Sequence, residues 1–169
     1  MNKTTVFICG TQTDVNSLLS AFYGKDVDLC KKKSGAPYLK GVKDYVSVSH
    51  KRKCLVVAVS SKPVGVDVEK NEIKPTVFKI ADKYFSEKIE QGDYKAFFTL
   101  WTKKEAYGKL FEKGISKEIL ATDLSEDTVS CDNVVVAFNS FEFNDYIVTC
   151  ADCFNDVDFV VDDSAKRIK

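Results

Sequence analysis

The sequence has little of several features that mark whole classes of protein. Lysines and arginines total 25 and aspartates and glutamates total 25, so the formal net charge is zero. A general nucleic-acid-binding protein is usually basic, so this balance disfavours that class. No apolar run approaches the roughly 20 residues of a membrane-crossing helix, and the short apolar segment Val6–Cys9 does not resemble an export signal. We expect a cytoplasmic protein with neither a nucleic acid nor a membrane as partner.

Histidine is almost absent, whereas cysteine is not. The sequence contains one histidine, His50, and six cysteines. Six cysteines without an export signal indicate reduced thiols in a cytoplasm. Cys150 and Cys153 have C-x-x-C spacing, but no second close pair and no histidine cluster completes a zinc site. We predict that Cys150 is a core residue of a strand and favour this role over metal binding or redox chemistry.

The order of apolar patterns predicts an α+β domain. Strand-like segments come first, two helices follow near residues 76–84 and 93–112, and strand-like segments return after Leu124. The segments Cys54–Val59 and Pro63–Glu69 are joined by three polar residues, which predicts a β-hairpin. With 169 residues, the chain has the size of one domain with a real core. We therefore predict a single domain over residues 1–169, with antiparallel strands packed on helices.

Two acids lie in a valine-rich strand within the stretch KPVGVDVEK. Residues i and i+2 of a strand share a face, so Asp67 and Glu69 project together while Val66 and Val68 point into the core. Neighbouring carboxylates repel each other unless a cation lies between them or water solvates them. On this pattern alone, a solvated sheet face is the more frequent explanation.

A third acid lies in the longer predicted helix. Glu105 and Lys109 are spaced as i and i+4, and such a pair on a helix surface contributes only roughly 0.2–0.5 kcal/mol. Their face also carries Trp101 and Phe98, which favour burial. Charged groups beside buried aromatic rings are candidates for a functional site.

Together these segments resemble a known family signature. Gly65–Glu69 reads GVDVE and Trp101–Lys109 reads WTKKEAYGK. They are similar to the 4′-phosphopantetheinyl transferase pattern G-[IV]-D-x-E, about 30–45 residues, then [FW]-[SCT]-x-K-E-[AS]-x-x-K, and every defining position is matched. Pro37-Tyr38 and Ser49-His50 stand where the surfactin-synthetase-activating type has G-K-P-Y and S-H. The resemblance extends from about Gly35 to Cys153.

The resemblance implies an activity and a role for each residue. These enzymes transfer the phosphopantetheine arm of coenzyme A to a serine of an acyl or peptidyl carrier protein and release 3′,5′-ADP. Asp67, Glu69 and Glu105 would hold Mg²⁺, or Mn²⁺, through the oxygen ligands that such ions prefer. Glu105 would be a ligand, the base for the serine proton, or both, and Lys109 would stabilise the leaving group. The residues implied to contact coenzyme A are Pro37, Ser49, His50 and Lys104.

The sequence also departs from that type. Ala36 stands where the type has a lysine, and the part before Gly35 is short. We expect a reduced pseudo-twofold arrangement, with an N-terminal lobe at 1–45 and a catalytic lobe at 46–169. A monomer is favoured, and completion of the site by a second subunit is the alternative. Two other functions remain open: a non-catalytic member that only binds carrier protein or coenzyme A, and a Mg²⁺-dependent nuclease or phosphodiesterase.

Overall fold

The computed structural model describes residues 3–131, 133–154 and 156–167. Within them, ten strands and four α-helices follow one another along the chain. In order these are β1 (Thr4–Gly10), α1 (Val15–Tyr23), β2 (Asp28–Lys31), β3 (Pro37–Lys40), β4 (Tyr45–Lys51), β5 (Cys54–Ser60), β6 (Gly65–Lys70), α2 (Thr76–Tyr84), α3 (Tyr94–Leu110), α4 (Lys117–Ala121), β7 (Thr128–Cys131), β8 (Val134–Phe143), β9 (Tyr146–Asp152) and β10 (Val157–Val161).

The first sheet has the order β10-β1-β5-β4. β1 is antiparallel to β5 and parallel to β10, and β4 and β5 form a hairpin. Helix α1 and the small β2–β3 hairpin cover one face, where Leu19, Val27 and Leu39 pack on Val57. The helix begins where the Asp14 side chain accepts a hydrogen bond from a backbone N–H, and it ends at Gly24 in the left-handed conformation.

The second sheet has the order β6-β9-β8-β7 and is antiparallel throughout. Helix α3 lies across β6 and β9, and its buried side chains Phe97, Phe98 and Leu110 fill the space between helix and sheet. The helix starts at Asp93, whose side chain accepts a hydrogen bond from the Ala96 N–H.

The two sheets meet where β4 runs beside β6. The Ser47 hydroxyl accepts a hydrogen bond from the Val66 N–H at 3.0 Å. Behind this edge, both sheets contribute valines to one fully buried core, with Val56 from β5 facing Val66 and Val148. The rings of Phe141 and Phe159 stack 5.1 Å apart between β8 and β10. The edge contact fixes the position of β6 relative to both sheets.

The structure confirms the predicted antiparallel strands packed on helices, and it corrects the strand pairing. Helices α2 and α3 lie where the pattern placed them, and Cys150 is fully buried in the core. The predicted hairpin of residues 54–69 is wrong, since β5 pairs with β1 and β4 whereas β6 pairs with β9. The short connection between them, residues 61–64, crosses from one sheet to the other because each strand is buried on both faces.

The pairing of β4, β5 and β10 bears on the predicted boundary between the two lobes. The boundary expected between residues 45 and 46 falls within the first sheet, because β4 and β5 pair in register with each other and β5 with β1. The strand β10 returns from the end of the chain to the edge of that same sheet. In the described part of the chain, no helix is both long enough and apolar enough to cross a membrane.

Candidate active site

Helix α3 exposes a single stripe of side chains in its second half. Trp101, Glu105 and Lys109 are partly exposed, while residues 102–104 and 106–108 are buried. A spacing of four residues returns to the same face of an α-helix. The predicted glutamate and lysine therefore share the open face of the helix with Trp101, whose ring stacks on Phe97 at 5.9 Å.

Asp67 is buried at the junction of β6, β4 and α3. Its side-chain atom Oδ1 accepts hydrogen bonds from Ser49 Oγ and from Lys109 Nζ, each at 2.7 Å. Lys109 Nζ also donates to the Val66 carbonyl at 3.1 Å. The carboxylate is only 5% exposed, so a solvated sheet face does not describe it. The strand acid and the helix lysine are in direct contact.

Glu69 lies two residues further along β6 and has its own lysine. Lys51 Nζ, at the end of β4, is 2.6 Å from Glu69 Oε2. Alternate residues of β4 thus contact β6 in succession: Ser47 binds Val66, Ser49 binds Asp67, and Lys51 binds Glu69. Burial raises the pKa of Glu69 above its ordinary value, and Lys51 opposes that shift.

Glu105 is half-buried beside these acids. Burial raises the pKa of Glu105 to about 7, and the negative charges of Asp67 and Glu69 add to the increase while Lys109 opposes it. A carboxyl group with a pKa near 7 exchanges its proton at neutral pH, as a general base requires. The three predicted acids therefore share one electrostatic environment.

The oxygen atoms of the acids decide whether the site could hold a divalent cation. Asp67 Oδ2 is buried and has no hydrogen-bond partner within the described residues. Among these residues, no three Asp, Glu, His or Cys side chains lie close enough to enclose a metal ion. Mg²⁺ is commonly bound by one or two carboxylates together with water and substrate phosphate. The oxygen donors fit an ion held in that way.

A cleft of about 800 Å³ adjoins the site at Lys109, and none of Asp67, Glu69 and Glu105 lines it. It lies between the β2–β3 hairpin, β4 and the end of α3, and both Ala36 and Pro37 line it. Lys109 lines the cleft as well, so this side chain contacts Asp67 and also faces the open space. The volume is in the range of pockets that bind small molecules and cofactors.

Lys104, which the resemblance implies to contact coenzyme A, is bound to groups of the protein itself in this structure. Its side chain is fully buried and donates to both carboxylate oxygens of Glu87, at 3.0 and 2.8 Å, and to the Thr122 carbonyl at 2.7 Å. The neighbouring Lys103 donates to the Leu124 carbonyl and to Asp127. Both lysines hold the segment 122–127 against α3 and leave no free ammonium for a ligand.

The contacts of Ser49 and His50 with coenzyme A stay predictions, and the two side chains lie on opposite faces of β4. Successive side chains of a strand point to opposite faces. Ser49 turns to Asp67, whereas His50 is exposed on the face that carries Val46 and Val48. Sequence reasoning missed Ser47 and Lys51, although their alternation with Ser49 along β4 was a usable signal.

The chain is similar to known proteins of one family. Residues 63–151 match the family model of the 4′-phosphopantetheinyl transferase superfamily. A 4′-phosphopantetheinyl transferase of Bacillus subtilis is 37% identical over 92 residues, covering 48% of this chain and 40% of the relative. The 4′-phosphopantetheinyl transferase Sfp of Bacillus subtilis strain 168 is 32% identical over 116 residues, covering 60% of this chain and 50% of the relative. The enzyme psf-1 of Bacillus pumilus is 36% identical over 105 residues, covering 56% and 44%.

The similarity covers only part of this chain and part of each relative. The chain spans about half the length of the curated relatives it matches. The matched segment contains both β6 and α3, and with them all four residues that meet at the acid site. It also covers more than half of the 169 residues. The chain belongs to the 4′-phosphopantetheinyl transferase superfamily.

Proposed function

We propose that the protein transfers the 4′-phosphopantetheine arm of coenzyme A to a serine of an acyl or peptidyl carrier protein and releases 3′,5′-ADP. One observation carries the proposal. Lys109 from α3 binds Asp67 from β6 and also lines the large cleft, and the charges of Asp67 and Glu69 act on Glu105 of the same helix. The names of the matching relatives support the same activity.

In this reaction the serine oxygen attacks the phosphorus that bears the pantetheine arm. A new P–O bond forms to the serine, and the P–O bond to the 3′,5′-ADP phosphate breaks. The serine proton passes to Glu105, whose pKa near 7 suits that role. The negative charge that develops on the departing 3′,5′-ADP is offset by the Lys109 ammonium.

The proposed ligands of Mg²⁺ or Mn²⁺ come from Asp67, Glu69 and Glu105, with one or two of these carboxylates on the ion at a time and water and substrate phosphate completing its coordination. When bound, the ion neutralises charge on the pyrophosphate of coenzyme A. The ammonium groups of Lys51 and Lys109 contact two of these acids. They balance part of the negative charge that the buried carboxylates would otherwise carry alone.

The arrangement of the sheets supports a pseudo-twofold relation between two lobes of one domain. In each sheet an initial strand is followed by helix and then by a hairpin whose second strand pairs with the first, in the orders β1-β5-β4 and β6-β9-β8. The proposed coenzyme A site is the cleft beside their junction. The protein acts as a cytoplasmic monomer in this proposal.

A transfer assay tests the proposed function. Labelled coenzyme A, a purified carrier protein and Mg²⁺ are incubated with the protein, and the carrier is measured by mass spectrometry. A mass increase equal to one phosphopantetheine arm is the expected result. Binding of coenzyme A without a mass increase on several carriers would favour a non-catalytic member. Cleavage of a phosphodiester substrate without transfer would favour a nuclease or phosphodiesterase.

A further inference from the structure

The acid site contains two lysine–carboxylate ion pairs, Lys109 with Asp67 and Lys51 with Glu69, and only the first lysine belongs to the family signature. Lys109 lies within the segment that matches the family signature, whereas Lys51 lies outside it, at the end of β4. Its ammonium is 2.6 Å from Glu69 Oε2. It is brought there by the register of β4, in which Ser47, Ser49 and Lys51 face β6.

The two partners are unequally exposed. The Lys51 side chain is 33% exposed, whereas the Glu69 side chain is 16% exposed. A cavity of about 210 Å³ adjoins the pair, and Glu72 and Trp101 also line it. The lysine is therefore the partner that can move towards water, because it has both the space and the flexible stem to do so. Glu69 stays in place on its strand.

Charges of both signs act on Glu69, which is partly buried. Burial raises the pKa of Glu69, and the charge of Asp67 adds to this, while Lys51 and Lys74 act in the opposite direction. In the protein without metal, Lys51 supplies the closest positive charge. A divalent cation bound to the Glu69 carboxylate would repel the Lys51 ammonium. The two positive charges therefore compete for the same carboxylate.

We propose that Lys51 is a built-in counter-ion of Glu69, which a divalent cation has to displace, and that it thereby sets the affinity of the site for metal. The inference rests on the proposed function because it takes Glu69 as a metal ligand. It assigns Lys51 as a positioning residue that holds the Glu69 carboxylate in place before the ion arrives.

The test measures metal binding without coenzyme A or carrier protein. Mn²⁺ is titrated at pH 8 into the wild type and Lys51→Met, and the free ion is followed by electron paramagnetic resonance. Removal of the competing ammonium is expected to tighten Mn²⁺ binding by about fivefold or more, the lower end of ordinary coupling between two ligands. The melting temperature of Lys51→Met should also rise further on addition of Mg²⁺ than that of the wild type. Lys51→Arg should bind Mn²⁺ like the wild type.

Arg52→Met is the matched control. It removes one positive charge at the next residue, where Arg52 pairs with Glu72 at 2.7 Å rather than with Glu69. Its Mn²⁺ affinity should stay near that of the wild type.

Three outcomes would overturn the inference. The first is Mn²⁺ binding by a folded Lys51→Met protein that is unchanged or weaker than in the wild type. If Lys51→Met does not fold, the second is unchanged or weaker Mn²⁺ binding by Lys51→Gln. The third is Mn²⁺ binding that tightens as much in Arg52→Met as in Lys51→Met. Asp67→Asn should abolish the Mn²⁺ binding seen in the wild type. If the wild type does not bind Mn²⁺, or if Asp67→Asn binds it equally well, the metal part of the proposed function fails together with the inference.

Discussion

Lys104 and Lys109 are five residues apart in α3, and their side chains meet different surroundings. Lys104 is enclosed by Glu87 and the Thr122 carbonyl, with its ammonium 4.7 Å from the centre of the Phe85 ring. Lys109 lies at the edge of the cleft and binds Asp67. Five residues span about 500° of helical rotation, which puts the two side chains on different faces. Their replacement should therefore separate stability from catalysis.

Lys104→Ala should lower the stability of the protein, whereas the main effect of Lys109→Ala should be a lower rate of transfer. Breaking a buried ion pair leaves an uncompensated charge and costs about 3–5 kcal/mol of unfolding free energy, so Lys104→Ala should lower the melting temperature markedly. Removal of one group that stabilises transition-state charge lowers kcat by about a hundredfold or more, which we expect for Lys109→Ala. Thermal melts and steady-state kinetics of both variants check this. Near-normal turnover by a destabilised Lys109→Ala would assign that lysine a structural role only.

Glu105 should make the stability of the metal-free protein depend on pH. Its pKa is raised to about 7, so the folded state binds its proton more tightly than the unfolded state. The stability from this proton is complete below the ordinary pKa near 4.5 and is lost as pH rises to about 7. After allowance for partial exposure, the loss is about 1–2 kcal/mol.

The measurement compares melting temperatures of wild type and Glu105→Gln with a chelator present, between pH 5 and pH 7.5. The wild type should lose several degrees relative to Glu105→Gln over that range, since about 1 kcal/mol corresponds to roughly 2–4 °C in a domain of this size. A constant difference between the two proteins across the range would show that Glu105 has an ordinary pKa.

At the scale of the elements, the close approach of β6 and α3 depends on Gly65. A Cβ atom at this position would lie 1.9 Å from the Ala106 carbonyl oxygen. Backbone cannot yield as a side chain does, so Gly65→Ala should push the strand from the helix and cost about 1–3 kcal/mol or more. It should also weaken transfer by separating Asp67 from Lys109.

Gly10→Ala is the matched control for this effect, since Gly10 is also a strand glycine. There the new Cβ would meet only the flexible Gln12 side chain, which can move aside. Melting temperature and transfer rate are measured for both variants. A Gly65→Ala protein as stable and active as Gly10→Ala would contradict the assigned role of the close contact.

Much of the site was predictable from local periodicity. The alternation of the strand placed Asp67 and Glu69 on one face, and the helical repeat placed Glu105 with Lys109, as the structure has them. The partners of these residues were not predictable, because they come from distant segments. In the sequence, Lys104 looks like an exposed helix lysine. Its partners Glu87 and Thr122 lie 17 and 18 residues away and become apparent only in the structure.

The pairing of the strands was the other part that local patterns could not supply. β5 is a nearly continuous apolar run, β6 is rich in valine, and a short connection joins them, which is also how a hairpin appears in sequence. Which partner each strand takes is decided by contacts far apart along the chain. β6 pairs with β9, some eighty residues later, and β1 pairs with β10 at the end of the chain.

For the whole molecule, the proposed coenzyme A site is the cleft between the β2–β3 hairpin, β4 and the end of α3. The position before Pro37 lines the cleft and is Ala36, where the related type has a lysine. Fewer fixed cations should give a high KM for coenzyme A. Because exposed charges are screened over roughly 8–10 Å at ordinary salt, that KM should also rise steeply with ionic strength.

Ala36→Lys should lower the KM for coenzyme A and leave kcat nearly unchanged. The added ammonium lies away from the reacting phosphorus, so it strengthens ground-state and transition-state binding alike. Steady-state kinetics at two salt concentrations test this, with Ala96→Lys as a control that adds the same charge on an exposed part of α3 outside the cleft. A low, salt-insensitive KM in the wild type would mean that other groups complete the site.

In the proposed function the acids at the junction of β6 and α3 carry out the transfer, and Asp67→Asn removes the charge of one of them. Asparagine keeps the side-chain oxygen that accepts hydrogen bonds from Ser49 and Lys109, so the variant should fold and melt near the wild-type temperature. We predict that it adds no phosphopantetheine arm to a carrier protein at saturating Mg²⁺. The control Glu72→Gln, which removes an acid paired with Arg52 outside the site, should stay active. An Asp67→Asn protein that keeps most of the wild-type transfer rate would contradict the account.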